Sequence, residues 1–327
     1  MAYDFERKYA PADAVMSPRF TGIRSFMRVP YVTDVNEYEN IDVGIVGIPF
    51  DTGASFRAGA RFGPEAVRRI SSFLRPANPY HRLDPFDYCA VADLGDLFII
   101  PGYTEDSYKS IEDGLYKILD KGVIPIGIGG DHAITLGELR AAYRKHGKLA
   151  LVHFDSHSDT NEAYWGKKYT HGTPFKRAYE EGLIDTSKSV QLGMRGNIYG
   201  DSDYDNARQM GFTLLTTEDM MKMKREDIAR TVKEIVGDSP VFLTFDIDFF
   251  DPAYAPGTGT PEVGGFTSFE GLDLLRKLTG LNYVAFDMVE VYPGFDPAEI
   301  TALLGATVIF EMISHIALGK KEKAGRA

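Results

Sequence analysis

Eight short apolar runs alternate with amphipathic stretches along most of this chain, and this alternation limits the folds that the chain can adopt. The runs have strand length and fall at 41–49, 87–93, 123–129, 149–155, 190–194, 213–215, 241–248 and 283–290. Strands that alternate with helices form crossover units, in which strands run parallel and helices cover both faces of the sheet. We therefore predict a three-layer α/β/α fold with an eight-stranded, mainly parallel sheet.

The remaining segments suggest how the chain is divided. Helices are predicted at 63–74, 108–121, 135–145, 218–236, 268–278 and 300–318, and the tail 320–327 is expected to fray. Residues 1–40 are irregular and are interrupted by Pro11, Pro18 and Pro30. We predict a single domain at 41–327, preceded by an N-terminal extension at 1–40 that packs on the domain or on a neighbouring subunit.

The composition argues against several classes of partner. The chain has 36 lysines and arginines against 47 aspartates and glutamates, a net charge of −11, whereas proteins that follow nucleic-acid phosphates are usually basic. Cys89 is the only cysteine, which excludes an internal disulfide and a thiolate metal cluster. The N-terminus has no apolar core of signal-peptide type, and no window approaches ~18 uninterrupted apolar residues. We expect a cytoplasmic protein that binds neither nucleic acid nor a membrane.

Three candidate metal ligands follow the apolar run at 149–155. Asp155, His157 and Asp159 stand at alternating positions, so their side chains can converge while the chain stays extended. Carboxylate and imidazole groups form a hard-to-borderline ligand set for divalent metals. Taken alone, this segment could also be a polar loop that caps a strand, but two other predicted strands end in the same chemistry.

His132 follows the run 123–129 after a glycine pair, and Asp246 and Asp248 end the run 241–248. Ligands bind beyond the carboxyl ends of parallel strands, so four aspartates and two histidines are expected to meet there. Four carboxylates in one pocket repel one another unless cations balance them, and two divalent ions would do so. An oxygen-rich set with two imidazoles and no sulfur suits Mn²⁺, although Zn²⁺, Ni²⁺ or Co²⁺ would also bind it.

The same motifs resemble those of a known family. Gly-Gly-Asp-His at 129–132, Phe-Asp-Ser-His-Ser-Asp at 154–159 and Phe-Asp-Ile-Asp at 245–248 resemble the three metal signatures of the ureohydrolases, the arginase and agmatinase family. The resemblance runs from Asp42 to Met312 and implies an arginase-like fold. Ser156 and Ser158 depart from the commoner residues of the signature, but both occupy small, non-ligand positions.

This resemblance also implies a ligand set for two Mn²⁺ ions. The first ion would be held by His132, Asp155, Asp159 and Asp246. The second would be held by His157, Asp155, Asp246 and Asp248. Asp155 and Asp246 would therefore bridge the two ions, which would share a water made acidic enough to act as a nucleophile.

Catalytic and substrate-binding roles are implied in the same way. Asp159 would orient the bridging hydroxide, and His171 matches the proton-shuttle histidine of the family. Glu290 matches the acid that binds the substrate guanidinium, a pairing that can be bidentate. Asn161 matches a position at which arginases contact the substrate carboxylate. The implied reaction is attack on the guanidinium carbon and release of urea.

The choice of substrate stays open between two kinds of guanidino compound. Agmatine, which would yield putrescine and urea, is placed slightly ahead because the chain resembles the agmatinase branch. The alternative is a guanidino acid such as 4-guanidinobutyrate, 3-guanidinopropionate or a proclavaminate-type substrate, because the region 155–175 also resembles guanidino-acid hydrolases. Guanidine hydrolase, arginase and formimidoylglutamase activities rank lower. The resemblance further suggests a homo-oligomer, either a trimer or a hexamer.

Other functions fit these residues less well, and several residues have plainer roles. A one-zinc deacetylase would leave the ligand set oversupplied, and a non-catalytic descendant should have lost a ligand, which this chain has not. His153 lies two residues before Asp155 and is interpreted as a core histidine. Asp131 is expected to contact the metal ligands without binding a metal itself. Asp287 is interpreted as a carboxylate that hydrogen-bonds within the core.

Overall fold

A parallel β-sheet forms the middle layer of the protein. The computed structural model describes residues 8–198, 200 and 202–326. Within these residues the strands are Val43–Ile48 (β1), Val91–Asp96 (β2), Ile124–Gly129 (β3), Ala150–Phe154 (β4), Val190–Met194 (β5), Thr213–Thr216 (β6), Val241–Asp246 (β7) and Tyr283–Val289 (β8). The sheet order is β2-β1-β3-β8-β7-β4-β5-β6, and every strand pairing is parallel. The predicted eight-stranded α/β fold is confirmed.

Helices cover both faces of this sheet. They are Gly63–Ser71 (α1), Thr104–Asp120 (α2), Ile134–His146 (α3), Pro174–Glu180 (α4), Ser202–Gln209 (α5), Thr217–Met221 (α6), Arg225–Val236 (α7), Ser268–Lys277 (α8) and Ile300–Arg326 (α9). One apolar core contains residues of α1, α7, α8 and α9. A second core contains residues of α2, α3 and α4. Successive β1 residues divide between the two, with Val43 and Ile45 in the first core and Val46 and Ile48 in the second, as expected of a strand buried on both faces.

Three local predictions need correction, and two helices were not predicted. The helix predicted at 218–236 is two helices, because the backbone at Lys224 is extended and a new helix starts after it. The strand predicted at 87–93 begins at Val91, since Asp84 caps a short 3-10 turn over Pro85–Asp87. The tail expected to fray is helical to Arg326, and residue 327 lies outside the described residues. Helices α4 and α5 were not predicted, because seven or eight residues carry little periodic signal.

The last helix is long and apolar enough to cross a membrane when judged by length and composition alone, over Pro297–Ala324. However, 83% of its most apolar window is buried inside the protein. The core helix of a soluble protein passes the same test, and α9 packs against α1 and α8 in that way.

The segment before β1 lies along the edge strand β2. The Val91 N–H donates to the carbonyl of Tyr9 at 3.0 Å, and the Asp93 N–H donates to the carbonyl of Pro30 at 2.9 Å. Val32 returns a hydrogen bond to the Asp93 carbonyl, also at 2.9 Å. The division of the chain into an extension at 1–40 and a domain at 41–327 stays a prediction, and residues 1–7 lie outside the described residues.

The strand order places the candidate ligands side by side. Strands β8 and β7 fill the space between β3 and β4, so the four carboxyl ends are consecutive along one edge. These are the ends that precede His132, Asp155, Asp246 and Glu290. Residues separated by more than 150 positions in sequence therefore reach one site.

Candidate metal centre

A tight turn after β3 brings His132 to the site. Gly130 has φ +49, and a Cβ there would lie 2.6 Å and 2.7 Å from the carbonyl oxygens of Ile48 and Phe50. Only glycine fits this approach, so the turn needs that residue. The His132 ring is fully buried, and its Nε2 hydrogen-bonds to Thr244 Oγ1 at 2.8 Å. Its Nδ1 therefore faces the carboxylates that follow β4 and β7.

His132 Nδ1 lies against three carboxylates. The distances are 3.0 Å to Asp155 Oδ2, 3.0 Å to Asp159 Oδ2 and 3.4 Å to Asp246 Oδ2. Asp159 reaches this position from a left-handed backbone conformation with φ +51. Such a conformation is uncommon for a residue other than glycine and often occurs at functional sites. These four residues form the first half of the candidate centre.

The second half surrounds His157. Its Nδ1 lies 3.4 Å from Asp155 Oδ1 and 3.1 Å from Asp248 Oδ2. Asp248 Oδ1 accepts hydrogen bonds from the backbone N–H and the hydroxyl of Ser156, at 2.9 Å and 2.7 Å, which turns Oδ2 towards His157. Asp155 thus directs one carboxylate oxygen to each imidazole, so the two halves share it.

The spacing of these atoms fits metal ions. Two ligand atoms bound to one ion at right angles, each ~2.1 Å away, lie about 3 Å apart. His132 Nδ1 and Asp248 Oδ2 are both buried, and no group within the described residues hydrogen-bonds to either atom. Buried polar atoms are normally satisfied, and bound cations would satisfy these. Two candidate ligand groups that share Asp155 follow from the geometry, one of His132, His153 and Asp155 and one of Asp155, His157 and Asp248.

The charges of the site also call for cations. Burial raises the pKa of Asp246 well above its ordinary value, and the nearby carboxylates of Asp248 and Asp155 raise it further. Burial opposes protonation of His132, but the carboxylates around it, led by Asp155, raise its pKa well above the ordinary value. Protons thus compete with metal ions for these ligands, as is usual at metal sites.

Glu290 closes the site from the end of β8. Its Oε1 accepts the backbone N–H of His132 at 2.8 Å and is 3.0 Å from His171 Nδ1. Its Oε2 is buried and has no hydrogen-bond partner within the described residues. Burial opposes ionisation, but His171 and the His132 N–H keep the pKa of Glu290 below its ordinary value. The carboxylate is therefore charged and has one oxygen available for a cationic group.

His171 is held between Glu290 and a loop that precedes α1. Its Nε2 lies 2.6 Å from Ser55 Oγ and accepts the Ser55 backbone N–H at 3.2 Å. The Ser55 N–H favours a neutral ring whose proton lies on Nδ1 and is donated to Glu290. Burial lowers the pKa of His171, but Glu290 and other carboxylates outweigh burial and raise it to about 9. Below that pH these carboxylates favour a second proton on Nε2, which can then donate to the Ser55 hydroxyl instead. Ser55 was not identified from the sequence, because a single serine in a loop gives no signal of its own.

Asn161 lies in the loop that follows Asp159. Its Nδ2 donates to Tyr164 Oη at 3.0 Å and to the carbonyl of Gly172 at 3.2 Å. Both amide hydrogens are therefore engaged within the loop. Of the predicted site residues, the structure brings the six predicted metal ligands, Glu290 and His171 together, and it places Asn161 beside them as part of the loop scaffold.

The supporting residues of the site explain how its loops are fixed. Asp131 accepts the N–H of Gly53 at 2.7 Å and that of Ala133 at 3.0 Å, so it ties the loop containing Ser55 to the β3 turn. Asp287 accepts the Thr135 hydroxyl at 2.6 Å, within the core beneath the site. Thr244, which contacts His132, was missed because a threonine inside an apolar strand gives no signal of its own.

Comparison with known proteins identifies the class of this chain. A sequence model of the arginase family matches residues 41–314. The chain therefore belongs to the arginase family, and it is a hydrolase of the ureohydrolase type.

Individual relatives are similar over nearly their whole length. A guanidinopropionase from Pseudomonas aeruginosa is 44% identical over 94% of this chain and 96% of its own. An agmatinase from Neisseria meningitidis serogroup C is 44% identical over 88% and 91%. The solved structure of proclavaminate amidino hydrolase from Streptomyces clavuligerus has a TM-score of 0.88 and 38% identity, covering 92% of this chain and 99% of its own.

Proposed function

We propose that this protein is a binuclear manganese amidinohydrolase that cleaves the guanidino group of a small linear compound into urea and an amine. Agmatine, which gives putrescine, is the substrate that we place first. The observation that carries the proposal is the pair of imidazoles, His132 and His157, which face opposite oxygens of the Asp155 carboxylate. A single ion would not need this divided arrangement.

In this proposal His132, Asp155, Asp159 and Asp246 hold one ion, and His157, Asp155, Asp246 and Asp248 hold the other. When bound, such an ion pair supplies a water whose pKa is lowered towards neutrality. Oxygen and imidazole ligands without sulfur support Mn²⁺, and Ni²⁺, Co²⁺ and Zn²⁺ are alternatives for the same ligands.

The groups beyond the ligands would handle the substrate and its proton. The free Oε2 of Glu290 can accept hydrogen bonds from a planar guanidinium and so orient its carbon towards the centre. Asp159 would orient the attacking water. His171 bears a proton on the nitrogen that faces Glu290, and it can pass a proton to the departing amine as the C–N bond breaks.

Two observations bear on the substrate. Agmatine ends in an ammonium, whereas guanidino acids end in a carboxylate. The amide hydrogens of Asn161, the residue expected to contact a carboxylate, are already used by Tyr164 and Gly172, which supports agmatine. The guanidinopropionase and the agmatinase are each 44% identical to this chain, which supports a guanidino-acid hydrolase as the second candidate.

Urea release from a panel of substrates tests the proposal directly. Purified protein reconstituted with Mn²⁺ would be assayed with agmatine, 4-guanidinobutyrate, 3-guanidinopropionate, arginine and guanidine. We expect agmatine to give the highest kcat/KM. A clear preference for either guanidino acid would select the second candidate, and no urea from any compound would refute the amidinohydrolase function. Reconstitution with Ni²⁺, Co²⁺ or Zn²⁺ would identify the most active metal.

The cellular setting is proposed on the resemblance and composition alone. We place the enzyme in the cytoplasm, as a homo-oligomer of three or six chains. Sedimentation of the purified protein would test the oligomeric state.

A further inference from the structure

His153 lies inside β4, two residues before the shared ligand Asp155. The two side chains therefore point to the same face of the sheet. The His153 ring is fully buried and packs 4.4 Å from the ring of Phe175 and 5.2 Å from that of His132, measured between centroids. Its Nε2 lies 2.7 Å from Asp155 Oδ2. A buried histidine in direct contact with a bridging carboxylate has a role that packing alone does not explain.

Gln191, on the neighbouring strand β5, determines which nitrogen of His153 carries the proton. The two residues are register partners across the β4–β5 pairing. Gln191 Nε2 donates to the carbonyl of Ser158 at 2.6 Å and lies 3.1 Å from His153 Nδ1. A carbonyl oxygen only accepts, so the amide group facing Ser158 is the NH2, and its second hydrogen points to Nδ1. Nδ1 is then an acceptor, and the ring proton lies on Nε2.

The Asp155 carboxylate is consequently held at both oxygens. Oδ2 accepts from His153 Nε2 at 2.7 Å, and Oδ1 accepts the backbone N–H of His157 at 2.6 Å. Each oxygen retains lone-pair capacity for a metal: Oδ2 lies beside His132 Nδ1, and Oδ1 lies nearer to His157 Nδ1. Rotation of the carboxylate to present both oxygens to one ion would break both hydrogen bonds.

We propose that His153 is a positioning residue whose proton, placed by Gln191, holds Asp155 as a bridge with one oxygen for each metal ion. This inference rests on the proposed two-ion centre. His153 lies close enough to His132 and Asp155 to be considered a ligand itself. Its Nε2 is protonated and its Nδ1 faces Gln191, so it has no free lone pair towards the centre. Hydrogen bonds of this kind orient metal ligands and tune their affinity.

Two substitutions separate the hydrogen bond from the shape of the ring. His153→Phe keeps an aromatic ring against Phe175 but removes the donor. His153→Gln keeps an N–H that can occupy the position of Nε2 and donate to Asp155. His315→Phe is the matched control, because it replaces another buried histidine, one that bonds to the carbonyl of Leu275 in the core.

Mn²⁺ binding to the metal-free full-length protein is the measurement. Free Mn²⁺ is followed by its electron paramagnetic resonance signal, and bound metal is counted by mass spectrometry. We expect the His153→Phe substitution to raise the dissociation constant for Mn²⁺ about 10- to 100-fold. The variant should still bind two ions at saturation. His153→Gln should recover most of the affinity. His315→Phe should lower thermal stability but leave Mn²⁺ affinity unchanged.

Contrary outcomes are equally specific. Unchanged Mn²⁺ affinity in His153→Phe would overturn the positioning role, and saturation at one ion would make His153 a ligand instead. If His153→Phe does not fold, Gln191→Met, which removes the amide that fixes the tautomer, must weaken Mn²⁺ binding or the inference fails. Parent protein that binds one ion would refute the two-ion centre itself. Two bound ions without urea release would refute only the proposed reaction.

Discussion

The backbone N–H of His132 donates a 2.8 Å hydrogen bond to Oε1 of Glu290, which connects the β3 turn to the end of β8. The same oxygen lies 3.0 Å from His171 Nδ1. Glu290 adopts φ +66, a left-handed conformation that is uncommon for glutamate. Oε1 of Glu290 thus connects segments of the fold, while Oε2 remains available to bind a ligand. A single residue therefore positions both the proposed substrate site and the candidate metal centre.

Glu290→Gln is expected to lower kcat/KM for the best substrate by about 100-fold, equivalent to roughly 3 kcal/mol of transition-state binding. The amide keeps the size of the side chain but lacks the charge that pairs with guanidinium. Metal content should not change, because Glu290 is not among the proposed ligands. Initial rates of urea release and metal analysis of the same sample would measure both effects.

Glu299→Gln is a suitable control for that substitution. Glu299 also has a left-handed backbone, with φ +59, but its carboxylate pairs with Arg69 at the surface. The same chemical change there should leave the kinetics unaltered. Wild-type activity in Glu290→Gln, or loss of Mn²⁺ from it, would contradict the assignment of Glu290 to the substrate.

Asp246→Asn is expected to abolish activity and to lower bound Mn²⁺ below two per chain. Asp246 is buried, lies 3.4 Å from His132 Nδ1 and is proposed to bridge both ions. An amide is a weaker ligand and cannot balance the ionic charge. Asp287→Asn makes the same change at a buried carboxylate on the neighbouring strand and should retain both ions. Full turnover in Asp246→Asn would defeat the two-metal assignment.

His171→Ala is expected to reduce kcat by about 10²- to 10⁴-fold, the usual contribution of a positioned acid or base, with both ions still bound. His171 contacts Glu290 and Ser55, and neither is a proposed ligand. His146→Ala, at the solvent-exposed end of α3, provides the control. If His171→Ala lost Mn²⁺ in proportion to its activity, the residue would be a ligand instead.

The sequence was sufficient to predict that the proposed ligands meet at one site, but not which residues hold them there. Asp155, His157 and Asp248 stand directly at strand ends, where the parallel topology alone specifies a meeting point. Gln191 and Thr244 are both register partners of His153 in β4. Gln191 contacts His153, 38 residues away in sequence, and Thr244 contacts His132, 112 residues away. Such contacts depend on which strands are neighbours. The alternation of apolar runs predicts that a sheet forms but not the order β3-β8-β7-β4.

Strand register also explains why the sequence predicts His153 only as a core histidine. An imidazole in an apolar strand is most simply a core residue. Its hydrogen-bond partners decide whether it also positions a neighbouring side chain. Its contact with Asp155 follows from their spacing of two residues, which the sequence displays. The direction of its proton follows from Gln191, which becomes a neighbour only when β5 pairs with β4. The bond was therefore accessible to sequence reasoning, whereas the tautomer was not.

His315, far from the metal centre, should make stability sensitive to acid. It is buried beneath α8, and Nε2 donates to the carbonyl of Leu275 at 2.9 Å. His81 and Tyr283 face its ring, with centroids 5.9 Å and 5.6 Å away, and Lys233 contributes positive charge. Glu311 lies beyond His81, 3.6 Å from its Nε2. Burial, reinforced by His81, lowers the pKa of His315 to about 3.

The sign of the effect follows from proton uptake on unfolding. Between about pH 6.5, the ordinary histidine pKa, and about pH 3, unfolded His315 is protonated while the folded residue is neutral. The unfolded state binds more protons, so the free energy of unfolding decreases as the pH falls through this window. The contribution is about 1.4 kcal/mol per pH unit, or about 2 kcal/mol between pH 7.5 and pH 5.

His315→Gln keeps a donor for Leu275 but does not titrate. Its free energy of unfolding should therefore fall by about 2 kcal/mol less than that of the parent between pH 7.5 and pH 5. Urea denaturation of both proteins at the two pH values would measure the difference, and the titrations of the metal centre, common to both, would cancel. Parallel losses of stability in parent and variant would show that His315 is not held neutral in the folded protein.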